Sequence, residues 1–194
     1  MRLFVAVYPP AEAVRDVTAQ VATLRIGTLA QAGVNVRLTR PETYHVTLAF
    51  LGEVDPQRLP AAEAALARAV AAWRPKDGSR VLPEVAFAGG GRFGRGAFTV
   101  LWIGLDGDVP ALTRLAQLVR RELRRARLPY DHKAFRPHLT IARPGDRVAA
   151  EDIAADRETF AAYRGPAWPV TEVVLVRSYL GPRPRYERLG AWAL

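Results

Sequence analysis

Hydrophobic positions fall in two rhythms along this chain, short unbroken runs and longer stretches at three-and-four spacing. They alternate from the first residues onward. Leu3 to Tyr8 is a continuous apolar run closed by Pro9-Pro10, the pattern of a buried strand. Val14, Val17, Val21 and Leu24 then repeat at helical spacing, with Glu12, Arg15, Asp16 and Gln20 on the other side, and Gly33 ends that region. Residues 34–38 read as a short edge strand and 45–51 as a second buried strand closed by Gly52. Asp55-Pro56 is a helix start for the alanine-rich stretch 57–73, whose stripe is Leu66, Val70 and Trp73 and whose stop is Pro75. A strand is expected at 81–88, followed by a glycine-rich loop over 89–96 that carries Arg92 and Arg95.

The order then repeats. A strand is expected at 99–105, and Asp108 with Pro110 opens a helix with the apolar stripe Leu112, Leu115, Val119 and Leu123. A strand at 136–142, a helix near 150–162 and a strand at 170–180 follow. A last strand, 186–193, comes after Pro182 and Pro184. Strand, helix, strand, helix, strand thus occurs twice. The expectation is one α+β domain, 1–194, made of two lobes with approximate units 1–90 and 97–180 around a pseudo-twofold axis. Equivalent strands would then face each other across a cleft.

Composition narrows the chemistry. The chain has 194 residues, 49% of them hydrophobic and 24% charged, enough for a core without staples. It has no cysteine, which removes disulfides, thiolate zinc sites and thiol catalysis, and suits a reducing cytoplasm. The opening apolar run is too short for a signal peptide, and no stretch is long and apolar enough to span a membrane. A soluble cytoplasmic monomer is expected. The net charge of +9 rests almost wholly on arginine, since Lys76 and Lys133 are the lysines, and the planar guanidinium fork suits phosphate. Arg114, Arg120, Arg121, Arg124 and Arg125 crowd one face of the helix after Asp108. Changing Arg120, Arg121, Arg124 and Arg125 together is expected to flatten the salt dependence of RNA binding if that face grips a backbone.

Two of the three histidines begin the same short motif, His45-Val46-Thr47-Leu48 and His138-Leu139-Thr140-Ile141. In an extended strand, residues two apart share a face, so each imidazole has a threonine hydroxyl beside it. Both motifs occupy the same slot of the repeated unit, which makes chance pairing a poor explanation. One neutral imidazole can take a proton while a charged one gives it, on opposite sides of a phosphorus. The spacing does not say which is which. His132 lacks such neighbours and reads as a loop histidine, structural or surface. No metal-ligand spacing, nucleophile elbow or P-loop accompanies the motifs, so no metal and no cofactor are expected.

The sequence resembles the two-histidine (2H) phosphoesterases, in particular the prokaryotic RNA 2',3'-cyclic phosphodiesterases, also called 2'-5' RNA ligases. The residues that carry the resemblance are Met1 to Ala6, His45 to Glu53, Phe135 to Arg143, and Arg177-Ser178-Tyr179-Leu180. It implies two largely antiparallel sheets facing a central cleft with helices outside. It implies metal-free hydrolysis of RNA 2',3'-cyclic phosphate ends to 2'-phosphomonoesters, together with reversible 2'-5' RNA ligation. It further implies that His45 is the proton donor, that His138 is the acceptor, and that Thr47, Thr140 and Arg143 bind phosphate. Strict alternation puts Arg143 on the face opposite His138 unless the strand ends or bulges near Ala142. The competing expectations are a non-catalytic RNA- or nucleotide-binding module, and an enzyme acting on small cyclic nucleotides or 2'-5' oligonucleotides. Tyr8, Phe50 and Tyr179 are candidate base-stacking rings, with core packing favoured for Phe50.

Overall fold

The structure, a computed structural model, describes residues 1–73, 82–181 and 185–194. Two four-stranded antiparallel sheets frame it. The first runs β2 (Val46–Glu53), β1 (Arg2–Val7), β7 (Glu172–Tyr179), β8 (Arg185–Ala193). The second runs β5 (Leu139–Ala142), β4 (Val100–Gly107), β3 (Glu84–Phe93), β6 (Arg164–Pro169). Helices α1 (Ala11–Thr23), α2 (Arg25–Gln31), α3 (Leu59–Ala71), α4 (Val109–Arg125) and α5 (Ala150–Ala161) complete the α+β architecture.

The sheets do not coincide with the two repeat units. β7, from the second half of the chain, pairs with β1, while β3, from the first half, pairs with β4. The closing strands are exchanged, because the loop between β3 and β4 is a tight hairpin that keeps β3 beside its sequence neighbour.

Several elements depart from the hydrophobic pattern. The single helix expected after Ala11 is two, since Leu24 turns extended (φ −76°, ψ 160°) and starts α2. Asp156 of α5 caps α2 from a distance, its carboxylate accepting the N–H groups of Arg25 at 2.8 Å and Ile26 at 3.1 Å. Residues 34–38 supply an isolated bridge, Leu38 to Ala142, rather than a strand. Asp55 accepts the Gln57 N–H as expected of a cap, but opens a 3-10 turn before α3 begins at Leu59. β6 was not expected, because Pro166 and Pro169 interrupt its pattern; it lies at a sheet edge, where a missing N–H is tolerated. Pro75, Val81, Pro182 and Pro184 lie outside the described residues.

The glycine-rich stretch is a correction. Gly89, Gly90 and Gly91 are the middle of β3, not a loop. A Cβ on Gly90 would lie 2.4 Å from Phe160 of α5, and one on Gly91 2.4 Å from the Trp102 ring. The glycines let an aromatic side chain press on each face of the strand.

One core holds the two sheets and the helices together; it includes Leu3, Val5, Leu48, Leu66, Ile103, Leu115, Ile141 and Leu175. On the other face of the first sheet lies a smaller cluster of Phe4, Ala6, Val174 and Val176, bordered by Tyr8, Phe50 and Tyr186. That face carries the site.

Candidate active site

β2 and β5 occupy matching places, each the outer strand beside the strand that opens its half. His45 and His138 each stand one residue before their strand, and Thr47 and Thr140 each lie second within it. Both strands then bulge at the same point. Thr47 and Ala49 face the consecutive residues Ala6 and Val5, leaving Leu48 unmatched. Thr140 and Ala142 face Trp102 and Leu101, leaving Ile141 unmatched. Leu48 and Ile141 are both fully buried. A bulge resets the alternation, so the fifth residue after each histidine returns to the histidine's face. That residue is Phe50 in one motif and Arg143 in the other. β5 also ends at Ala142, so Arg143 reaches the cleft and its charge acts on both His45 and His138.

The imidazoles are held alike. His45 Nδ1 lies 2.7 Å from the Thr43 carbonyl oxygen, and His138 Nδ1 lies 2.6 Å from that of Arg136. A carbonyl only accepts, so Nδ1 carries the proton in both rings, and both leave Nε2 for chemistry. Each ring is also packed by aromatics. His45 sits 4.8 Å from Phe4, 5.3 Å edge-on from Tyr186 and 6.0 Å from Tyr8. His138 sits 4.9 Å edge-on from Phe93 and 6.2 Å from Trp102, and those two rings stack at 5.1 Å.

Burial holds both imidazoles below their ordinary range. For His45 the bond to Thr43 opposes that effect, and the charges of His138 and Arg143 add to it. For His138 the bond to Arg136 opposes it and Arg143 adds to it. The effect of His138 on His45 places the two motifs within electrostatic reach of each other. Thr47 and Thr140 are half-buried on the same faces. Burial also pushes the Tyr8 phenol up to about 12, against the nearby Arg188 charge, so it is a neutral wall of the site.

Of the other sequence candidates, His132 is exposed and packs against Tyr130. Phe50 joins the cleft-face cluster, with the Arg2 guanidinium 4.6 Å from its ring centre. Tyr179 lies between Arg177 and Arg185 (4.5 and 4.3 Å) with its hydroxyl on Glu187. Phe4, Phe93, Trp102 and Tyr186 were missed, since flanking rings from other strands leave no mark near the motifs.

The arginine face of α4 is largely committed within the protein. Glu122, whose side chain is 2% exposed, pairs with Arg68, Arg121 and Arg125 at 3.2 Å each. Arg120 is spent on backbone carbonyls. A surface cavity of about 510 Å³ lined by Arg114, Gln117, Arg120, Arg121, Arg124 and Tyr130 contains neither histidine. Among the described residues, no group of three or more His, Cys, Asp or Glu is arranged to hold a metal, and no helix is long and apolar enough to cross a membrane.

Two imidazoles tied alike through Nδ1, each with a threonine two residues on and both within reach of the Arg143 charge, form a candidate two-histidine site. The chain belongs to the 2'-5' RNA ligase superfamily, whose model matches residues 9–182. It is 36% identical over 154 residues to the RNA 2',3'-cyclic phosphodiesterase of Geobacillus stearothermophilus, across 79% of this chain and 46% of that protein. It is 35% identical over 109 residues to the protein of the same name from Archaeoglobus fulgidus, across 56% of each. The chain thus spans about half the length of these curated relatives. The crystal structure of E. coli LigT complexed with ATP superposes with a TM-score of 0.69 at 25% identity, covering 100% of this chain and 97% of that one.

Proposed function

We propose that this protein hydrolyses 2',3'-cyclic phosphate ends of RNA to 2'-phosphomonoesters without a metal, the activity for which its curated relatives are named. The observation that carries this reading is the matched pair of imidazoles, each fixed through Nδ1 to a carbonyl two residues upstream, which leaves Nε2 of each for proton transfer. Bare phosphate binding needs guanidinium or ammonium groups; it does not need two oriented, titratable nitrogens.

In the proposed reaction, His138 Nε2 takes a proton from water as the water oxygen bonds to phosphorus. The bond from phosphorus to O3' breaks on the opposite side, and His45 Nε2 gives its proton to the departing oxygen. Thr47 and Thr140 donate hydroxyls to the non-bridging oxygens, and Arg143 stabilises the charge that gathers there. Assigning His45 as donor rests on the family resemblance; its burial and the Arg143 charge disfavour the imidazolium in the free protein, and the bound phosphodiester anion supplies the charge that lets it hold a proton. A 5'-hydroxyl taking the place of water in the same steps, its proton passing to His138 as O3' departs with the proton from His45, would join the two ends through a 2'-5' link.

A defined RNA ending in a 2',3'-cyclic phosphate tests this directly. The expected product is the 2'-phosphomonoester, formed equally with and without a chelator. His45→Ala and His138→Ala are each expected to lower kcat by about 10²- to 10⁴-fold. Binding without turnover in the unaltered protein would assign it instead to nucleotide or RNA recognition.

A further inference from the structure

β2 is the outer strand of its sheet, so the carbonyls on its free edge take donors from outside the ladder. The Phe50 carbonyl accepts the Asp131 N–H at 2.8 Å. The Leu48 carbonyl, on the residue bulged directly after Thr47, accepts Arg120 Nε–H at 3.1 Å. The same guanidinium donates through Nη1 to the Lys133 carbonyl at 2.8 Å, and it lies 5.6 Å from the centre of the Phe135 ring. Lys133 and Phe135 lead into Arg136, whose carbonyl holds His138 Nδ1. One arginine on α4 therefore joins the backbone of the first motif to the backbone approach of the second.

We infer that Arg120 is a positioning residue, fixing the strand of His45 and Thr47 against the segment that carries His138 and so setting the gap across which the two imidazoles work. Its donors form a rigid planar fork that serves two carbonyls at once while its face rests near an aromatic ring, a combination lysine cannot reproduce. The effect on turnover rests on the acid–base reading proposed above, and a misplacement of about 1 Å between reacting groups costs on the order of 10²-fold.

The test compares Arg120→Ala and Arg120→Lys on a mononucleoside 2',3'-cyclic phosphate and on an RNA with the same end, beside thermal unfolding of each variant. For Arg120→Ala, kcat is expected to fall about ten- to a hundredfold on both substrates alike, with KM within about threefold of the parent. Arg120→Lys is expected to lie between, and added guanidinium ion to restore part of the Arg120→Ala loss. A rise in KM confined to the RNA, with a shallower salt dependence, would make Arg120 a backbone-gripping residue and overturn the proposal. A lower unfolding temperature with unchanged kcat well below it would also overturn it. NMR titration of the imidazoles gives a readout independent of substrate: in Arg120→Ala, the His138 titration is expected to move toward its ordinary range as its segment loosens. An unmoved titration counts against Arg120 whatever the reaction is. A parent protein inactive on both substrates would sink the proposed reaction and leave the titration to judge Arg120.

Discussion

At the scale of single residues, the site turns on which nitrogen of each ring is tied down. Nδ1 is occupied in both histidines, so the chemistry belongs to Nε2, and both rings titrate below the usual value near about 6.5. The sign of the pH dependence follows. The proposed reaction needs one imidazole charged and the other neutral, and burial lowers both in the free protein. The bell for kcat/KM is therefore expected to peak on the acid side of neutrality and to fall as pH rises through about 6.5. The limb in kcat lies higher, because a bound phosphate anion favours the imidazolium. A kcat/KM still climbing from pH 7 to pH 8 would be incompatible with this environment. The same shift bears on folding. The unfolded chain binds more protons between the folded and ordinary values, so the stability from burying neutral imidazole is complete above about 6.5 and is lost as pH falls.

At the scale of elements, the repeated bulge and the glycine strand shape the cleft. Gly91→Ala is expected to displace Trp102, whose ring and that of Phe93 border His138, and so to reduce both stability and turnover. Gly90→Ala presses on Phe160 instead, and is expected to cost about 1–3 kcal/mol of stability while sparing turnover at low temperature. Equal loss of turnover per unit of lost stability in the two variants would remove the distinction. Much of the element plan was legible: Val14, Val17 and Val21 marked α1, the Asp108 cap marked the start of α4, and the His-x-Thr runs marked β2 and β5. What stayed hidden depended on partners distant in sequence. The cap of α2 comes from Asp156, the glycines of β3 make sense only with Phe160 and Trp102 beside them, and β6 is a strand because an edge spares its prolines. Arg143 was ambiguous for the same reason, since a bulge is defined by the strand opposite.

At the scale of the whole molecule, the exchanged strands decide what can fold alone. β1 lies between β2 and β7, and β4 lies between β5 and β3, so each sheet draws strands from both halves of the chain. A cut in the hairpin between Arg95 and Gly96 would leave the first fragment without β7 and β8 and the second without β3. Neither fragment is expected to show cooperative unfolding by itself, while the mixture is expected to recover it. A stable, cooperatively unfolding fragment would show that one half suffices. The net charge of +9 acts at this scale too. With Glu122 neutralising part of the α4 face, that helix contributes less to long-range attraction of a polyanion than its arginine count suggests.

The two bulges carry a last implication. A twofold frame treats its two halves as equals, yet hydrolysis has a direction, with water entering on one side and an alcohol leaving on the other. After each bulge the chain returns one side chain to the cleft. One half returns a phenyl ring and the other a guanidinium. Residues 50 and 143 are thus where a mirrored pair of motifs becomes a polar one, and where the handedness of the reaction can be written without disturbing either histidine.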